Sequence, residues 1–162
     1  MSDTPGFIVV GIDGRPEGDA ALRFAVEEAR RTGETVEAVT SWTVEAIAPY
    51  PAPGVFLPAE QLVHEAGLRL DDAIARVLGD PPAMQISSRV VTGDPGRALV
   101  EAARGARMLV VGSRAIGTVR AALLGSVSRY CAHHAVCPVV VVPSPHVHDT
   151  AEPRVDGLTR TS

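Results

Sequence analysis

Length, composition and charge limit what this chain can be. It has 162 residues, a formal net charge of −4 at pH 7 and 46% hydrophobic residues. This length suits one globular domain, and the apolar content is too high for a disordered chain. No basic footprint is present, so we expect no nucleic-acid partner. The apolar runs are too short to cross a bilayer, and Met1 to Gly6 does not resemble a signal peptide, so we expect a cytoplasmic protein without a membrane partner.

The basic residues are of one kind. All 15 are arginine, and the chain contains no lysine. Codon bias explains this composition without any function. Whatever its cause, it excludes a Walker A loop and a lysine Schiff base, because both require a lysine side chain.

Nine apolar segments alternate between two patterns along the chain. Short apolar or β-branched runs predict five strands: Phe7–Ile12, Thr35–Trp42, Met84–Val91, Met108–Val111 and Pro138–Val142. Apolar residues at helical spacing predict four helices between them: Glu17–Arg31, Ala59–Leu78, Arg97–Ala106 and Gly125–Ala135. Gly33 and Gly79 are typical helix stops, and Asp94 is a candidate N-cap. We expect a domain over 6–143, a long loop over 43–58 and a flexible tail over 144–162.

Strict alternation of strands and helices predicts an α/β fold with a doubly wound parallel sheet and helices on both faces. In such sheets, ligands bind beyond the carboxyl ends of the strands, where the strand order reverses. The candidate lip residues are therefore Ile12-Asp13, Ser41-Trp42 and Gly112-Ser113. Trp42 either forms a wall of the pocket or belongs to the packing beneath it.

The segment from Gly112 to Ser128 carries the strongest chemical signal. Gly112 allows close approach of a ligand to the backbone, and the N–H groups of a helix that begins near Gly125-Ser126 favour an anion. The hydroxyls of Ser126 and Ser128 can donate to phosphate oxygens, and Arg114 and Arg120 can add positive charge. The alternative is that the glycines mark turns and Ser126 only caps the helix.

Cys131 and Cys137 enclose two histidines in a C-x-H-H-x-x-C run, which raises the question of a metal site. The run crosses from a predicted helix into a predicted strand, so its side chains diverge, and its spacing differs from that of known zinc sites. We therefore predict two packed cysteines and no metal.

Four separated blocks of the chain resemble the universal stress protein family. They are Ile-Val-Val-Gly-Ile-Asp-Gly at 8–14, Val-Val-Gly-Ser-Arg at 110–114, Leu-Leu-Gly-Ser-Val-Ser at 123–128 and His-His-Ala-Val-Cys-Pro-Val-Val-Val-Val at 133–142. The resemblance implies a Rossmann-like fold of the adenine nucleotide alpha hydrolase type, with strand order 3-2-1-4-5. It also implies a stress-response regulatory protein.

The ATP-binding branch of that family has a loop of glycine, two residues, glycine, nine residues, glycine, then serine or threonine. On this chain the first glycine is Gly112 and the final pair is Gly125-Ser126, but the middle position is Ala115. If that position needs a positive φ, alanine costs about 1–2 kcal/mol. Gly117, two residues further on, can move the kink. The resemblance thus implies ATP as the ligand, with or without Mg²⁺, bound more weakly than in relatives with the full motif.

Further site residues follow from the resemblance. Asp13 corresponds to the aspartate that contacts adenine, although an Asp-Gly pair is also an ordinary turn. Ser41 lies near the strand end that offers backbone contacts to adenine. The positions that line the ribose and phosphates correspond to these residues: Val111, Gly112, Arg114, Val127 and Ser128.

Three functions remain open from the sequence. The first is a nucleotide-binding regulator. The second is a nucleotide-independent interaction module that forms a homodimer through strand 138–142, because an apolar edge strand pairs readily with another chain and relatives dimerise there. The third, a slow ATPase, is disfavoured because no nucleophile–base pair, paired carboxylates or metal motif is recognisable. We therefore predict no catalytic residues.

Overall fold

A computed structural model describes residues 6–43, 58–80, 82–113 and 124–144. In these segments, one five-stranded sheet is flanked by four α-helices and one short 3-10 helix. The strands are β1 (Phe7–Gly11), β2 (Thr35–Trp42), β3 (Ile86–Thr92), β4 (Met108–Ser113) and β5 (Val139–Pro143). The α-helices are α1 (Asp19–Thr32), α2 (Ala59–Leu78), α3 (Pro95–Ala102) and α4 (Ser126–His134). The 3-10 helix is Pro16–Gly18.

The sheet has the order β3-β2-β1-β4-β5, and all four strand pairs are parallel. This confirms the predicted fold class and strand order. Chain connectivity moves outward from β1 to β3 on one side and from β4 to β5 on the other, so the order reverses between β1 and β4. In the register between these two strands, Val10 lies opposite Val110.

Two apolar layers hold helices against the two faces of the sheet. One layer joins β1 and β2 to α1 and α2 through residues such as Leu22 and Leu70, which are almost completely buried. The other layer joins β1 and β4 to α3 and α4 through residues such as Leu99 and Cys131. The central strands are therefore covered on both faces, which explains why their sequences are continuous apolar runs.

The predicted strand Thr35–Trp42 and helix Ala59–Leu78 are confirmed to the residue. Gly33 ends α1 with φ of 76°, Gly79 caps α2, and the Asp94 side chain accepts from the N–H of Arg97 at 2.9 Å. Each of these signals satisfies backbone groups locally.

The predicted starts of the first and fourth strands, Phe7 and Met108, are also correct, and the remaining boundaries differ by one to four residues. Short-range hydrogen bonds explain the largest differences. The helix expected from Glu17 is first a 3-10 turn, Pro16–Gly18, and becomes α-helical at Asp19. The helix expected to reach Ala106 ends at Ala102, because a turn with i−3 bonds follows. The third strand starts at Ile86 rather than Met84, because Ala83 N still donates to Leu78 O.

The remaining differences are elements that are slightly longer or shorter than predicted. The first strand ends at Gly11, the fourth reaches Ser113, the last helix is Ser126–His134 and the last strand is Val139–Pro143. The predictions for most of the 43–58 loop, for 114–123 and for the tail after residue 144 lie outside the described residues. In the described part of the chain, no helix has the length and apolar character needed to cross a membrane.

Candidate functional site

The carboxyl end of β1 leads into a tight turn that holds Asp13. Ile12 is buried, and its N–H donates to Val39 O at 2.9 Å, so the backbone stays on the sheet for one residue beyond β1. Asp13 then turns into solvent, and its Oδ1 accepts from the N–H of Arg15 at 3.0 Å. The carboxylate is thus oriented by its own turn at the edge where the strand order reverses.

Two glycines shape this turn. Gly14 has φ of +75°, a conformation that other residues adopt at a cost. A Cβ placed on Gly18 would lie 2.6 Å from Asp13 Oδ1, so glycine is needed there for space. The carboxylate of Asp13 therefore rests directly against the backbone of the 3-10 turn.

The neighbouring strand ends contribute mostly backbone. Ser41 is partly buried at the end of β2, and Val111 is only 2% exposed, so Val111 can meet a ligand only through its main chain. Gly112 follows in β4, and no described atom lies within 4 Å of a Cβ built on it. Continuing the register from Val10 and Val110 by two residues places Gly112 beside Ile12. Open space above a backbone at this edge is what a ligand needs for close approach.

Trp42 belongs to the packing rather than to an exposed wall. It is 6% exposed and contacts Leu62 and Ala66 of α2. Its indole N–H is buried and has no hydrogen-bond partner among the residues that the structure describes. The packing interpretation of Trp42 from the sequence is therefore the one that the structure favours.

Helix α4 presents a free N-terminus at the same edge. It connects the parallel strands β4 and β5 and must run antiparallel to them, so it begins on the side of their carboxyl ends. Its N-cap is Gly125, with no side-chain cap and no acidic residue in the first turn. The first N–H groups of any α-helix lack an intrahelical acceptor and carry the positive end of the dipole, and in α4 the N-cap residue provides no side-chain acceptor for them.

The other described α-helices differ from α4 in this respect. Their N-termini carry Asp19 in the first turn of α1, Glu60 in the first turn of α2 and the Asp94 cap of α3. Each of these carboxylates either occupies the anion-binding position at its helix N-terminus or repels an anionic ligand from it. Among the described α-helices, α4 is the one whose N-terminus remains suited to a phosphate.

Side chains at the start of α4 have different accessibilities. Ser126 is exposed, whereas Ser128 is 1% exposed and its hydroxyl donates to Gly125 O at 3.1 Å. Because the one hydroxyl proton of Ser128 already forms a hydrogen bond within the helix, its backbone N–H is the more available donor to a ligand. Val127 is partly buried against the apolar layer of α3 and α4, so it too offers chiefly its backbone.

Among the sequence-predicted site residues, the structure brings those before and after the undescribed loop to one edge of the sheet. They are Ile12, Asp13, Ser41, Val111, Gly112, Gly125, Ser126, Val127 and Ser128. Arg114 and Ala115 lie outside the described residues, together with Gly117 and Arg120. The role of each residue in binding stays a prediction.

Several residues of this edge were missed by sequence reasoning. Arg129 Nη2 donates to Leu124 O at 3.4 Å, which keeps a cation near the start of α4. Gly18 could have been noticed as a glycine within a predicted helix. Arg76 and Asp19 form an ion pair beside the Asp13 turn, but they are 57 residues apart and no local pattern connects them.

The two cysteines are packed, as predicted. Burial raises the pKa of the Cys131 thiol to about 11, and burial also raises the pKa of Cys137. Both thiols are free, and the described residues contain no group of three or more potential metal ligands.

Comparison with known proteins assigns the fold to a family. Residues 7–143 match the model of the universal stress protein family. This chain belongs to that family. A universal stress protein of Mycobacterium tuberculosis is 38% identical over 135 residues, which cover 83% of this chain and 44% of the relative. The chain spans about half the length of the curated relatives that it matches.

Solved structures of the same family place ligands in related folds. A universal stress protein from Archaeoglobus fulgidus in complex with dAMP is 26% identical and has a TM-score of 0.61, with coverage of 88% of this chain and 99% of the other. A universal stress protein in complex with cAMP is 28% identical, with a TM-score of 0.56 and coverage of 87% and 98%. These complexes establish adenine-nucleotide binding in those two proteins.

Proposed function

We propose that this universal stress protein binds an adenine nucleotide at the carboxyl edge of its sheet. The observation that carries the proposal is the N-terminus of α4, which has neither an acidic residue nor a side-chain cap and opens at the edge that also holds Asp13. An anion site and a carboxylate acceptor at one edge match the two ends of a nucleotide.

Each end of the site has its own chemistry. The phosphate end is formed by the first N–H groups of α4, with Arg129 nearby to add charge. At the other end, the Asp13 carboxylate accepts hydrogen bonds from the 6-amino group of adenine or from ribose hydroxyls. Gly112 has no side chain, and no atom of the described residues lies within 4 Å of a Cβ built on it, so the ligand can cross β4 there between these ends.

The relatives bound to cAMP and dAMP support a single phosphate as sufficient for binding. ATP, with or without Mg²⁺, is the finer proposal for this chain, and Ala115 in the loop makes us expect AMP to bind no worse than ATP. We assign binding rather than turnover, because efficient phosphoryl transfer needs a positioned base and a cation clamp. In this proposal, the nucleotide-bound form is a regulatory state of the protein in a stress response.

Calorimetric titration with AMP, ATP, adenosine and inorganic phosphate tests the proposal. We expect AMP and ATP to bind, and adenosine and phosphate alone to bind at least about tenfold more weakly, because each engages one end of the site. Asp13→Asn should weaken AMP binding, whereas Asp71→Asn, an exposed carboxylate on α2, should not. Absence of heat and of a thermal shift at millimolar AMP and ATP would refute nucleotide binding.

A second candidate function is association with another copy of the chain through β5. This strand is an edge of the sheet, and its four valines are only partly buried. Val136, just before the strand, is 82% exposed. Among the described residues, no strand pairs with the outer side of β5, and an apolar edge of this kind is a surface that a second copy can cover.

A further inference from the structure

A two-pronged ion pair lies behind the turn that carries Asp13. Arg76 of α2 donates from Nε to Asp19 Oδ2 and from Nη2 to Asp19 Oδ1, both at 2.9 Å. Asp19 is 5% exposed, and its hydrogen bonds raise the pKa of Arg76 above the usual arginine value. The planar guanidinium and the carboxylate therefore fix the geometry between α2 and the start of α1.

The same guanidinium reaches the turn itself. Arg76 Nη2 also donates to the carbonyl oxygen of Gly14 at 3.3 Å. About two helical turns earlier on α2, Arg69 lies close to the same glycine, because a Cβ built on Gly14 would come within 3.1 Å of Arg69 Cβ. Helix α2 thus bonds the turn beside Asp13 through Arg76 and passes close behind it at Arg69.

The position of Asp13 depends on this support. Its side chain is exposed, and its carboxylate contacts the N–H of Arg15 and the backbone at Gly18, so the conformation of the turn contributes to where the carboxylate lies. That backbone is fixed on the strand side by Ile12 N bonding to Val39 O, and on the helix side by Asp19. Gly14 is between these anchors, and Arg76 bonds both Gly14 and Asp19.

We propose that Arg76 is a positioning residue of the nucleotide site, holding the 13–19 turn so that the Asp13 carboxylate faces the base or ribose. This inference rests on the proposed function. Arg76 acts without touching the nucleotide, so it couples helix α2 to the affinity of the site. A lysine keeps the charge opposite Asp19 but is a point donor and cannot reproduce the planar fork that bonds both Asp19 and Gly14.

The test is a double-mutant cycle on AMP affinity in the full chain. Arg76→Gln and Arg76→Lys should each weaken AMP binding about fivefold, within the range seen for residues that act on a site indirectly. In an Asp13→Asn background, the same substitutions should change affinity less than twofold, because the group they position is no longer a carboxylate. The midpoint of thermal unfolding should fall equally in both backgrounds.

Arg89 provides the matched control. It forms an ion pair with Glu37 across β2 and β3 at 2.8 Å, away from the turn. Arg89→Gln and Arg89→Lys should leave AMP affinity within twofold of the wild type. Arg76→Lys decides the question if Arg76→Gln does not fold.

The outcomes separate this inference from the function on which it rests. If the wild-type protein binds AMP and the Arg76 variants bind it with the same affinity, the positioning role alone is overturned. Equal losses in the Asp13 and Asp13→Asn backgrounds also overturn it, because Arg76 would then act on affinity independently of Asp13. Failure of the wild-type protein to bind AMP overturns the proposed function and the positioning role together.

Discussion

At the scale of single residues, the candidate site depends on how exposed each predicted contact residue is. Asp13 is exposed and oriented by Arg15 N, whereas Ser128 is buried and its hydroxyl bonds Gly125. Both residues were predicted from the sequence as ligand contacts. In the proposed nucleotide site, these different environments predict a side-chain contact from Asp13 and a backbone contact from Ser128, and this difference is not encoded in the residue types.

Gly18 offers a substitution that separates binding from stability. Its backbone has φ of −80°, so alanine fits the conformation, but the added Cβ would lie 2.6 Å from Asp13 Oδ1. We expect Gly18→Ala to displace the carboxylate and weaken AMP binding about fivefold to tenfold. Its unfolding midpoint should stay close to that of the wild type, because alanine also restricts the unfolded chain.

Gly33→Ala is the matched control for this prediction. Gly33 ends α1 with φ of 76°, and no described atom lies within 4 Å of a Cβ built there. The cost is therefore backbone strain alone, about 1 kcal/mol, with no effect on affinity. Unchanged AMP affinity in Gly18→Ala would show that Asp13 is not a ligand contact.

The cysteines should differ in reactivity. Cys131 is completely buried with a pKa of about 11, while Cys137 is only partly buried. At pH 7.5 we expect a thiol reagent to label Cys137 in the native protein and Cys131 only after unfolding. Mass spectrometry of the labelled peptides locates each modification, and Cys137→Ser should abolish native labelling. Equal native labelling of both residues would contradict the structure around Cys131.

The same burial affects stability at high pH. Burial raises the pKa of Cys131 in the folded protein above the usual value for a thiol, so unfolding favours the thiolate. The contribution of this thiol to folding is fully present below pH 9 and decreases as the pH rises toward about 11. Urea titrations of wild type and Cys131→Ala between pH 8 and 11 should show a smaller loss of stability with pH in the variant.

At the scale of secondary-structure elements, the proposed phosphate site depends on helix α4. Its nine residues begin at Gly125 without a cap, whereas the described helices α1, α2 and α3 begin beside carboxylates. The cap of α3 was predictable, because Asp94 precedes Pro95 in the sequence. The absence of competing carboxylates at α4 gains meaning only because the topology brings this end to the edge that holds Asp13.

Substitution of Ser126 should affect stability and binding in opposite directions. Ser126 is exposed in the first turn of α4, where an added carboxylate stabilises the helix dipole by about 0.3–1 kcal/mol. We therefore expect Ser126→Asp to unfold at an equal or higher temperature but to bind AMP at least about tenfold more weakly, because its charge repels phosphate.

Gln61→Glu is the control, since it adds one carboxylate to the first turn of α2 at an exposed position. Calorimetry should show wild-type affinity for AMP in this variant. If Ser126→Asp binds AMP as well as Gln61→Glu does, the phosphate does not lie at the N-terminus of α4.

At the scale of the whole molecule, the two outer strands of the sheet, β3 and β5, differ in polarity. β3 exposes Ser87, Ser88 and Arg89, whereas β5 consists of four partly buried valines and Pro143. Charged and polar residues discourage pairing at a sheet edge, and apolar residues do not. The two outer strands therefore differ in polarity, and the proposed association with a second copy uses the apolar one, β5.

Association through β5 can be tested with a lysine on each edge. We expect the wild-type protein to show about twice its 16.9 kDa chain mass by light scattering at micromolar concentration. Val141→Lys should shift it to the monomer mass, and Ser88→Lys should not. A monomeric wild-type protein, or a dimer lost only in Ser88→Lys, would exclude this interface.

Much of the architecture could be predicted because it follows from local patterns. Apolar runs covered on both faces predicted the strands, and β2 and α2 were correct to the residue. Boundaries failed where a few short-range hydrogen bonds decide, as at Gly18 and after Ala102. The lip residues were predictable from strand ends, whereas their accessibility was not, because burial depends on packing between distant segments.

Gly112, Gly125 and Asp13 show which features the sequence determined and which depend on the tertiary structure. The sequence by itself determined the alternating fold, the family and the glycine positions, because these depend on residue order and local backbone preference. Only the tertiary structure decided that the Asp13 turn rests on Arg76, that Ser128 is buried and that the free helix end is that of α4. These features arise from contacts between residues far apart in the sequence, such as Arg76 and Gly14, which are 62 positions apart, and such contacts exist only after the chain has folded.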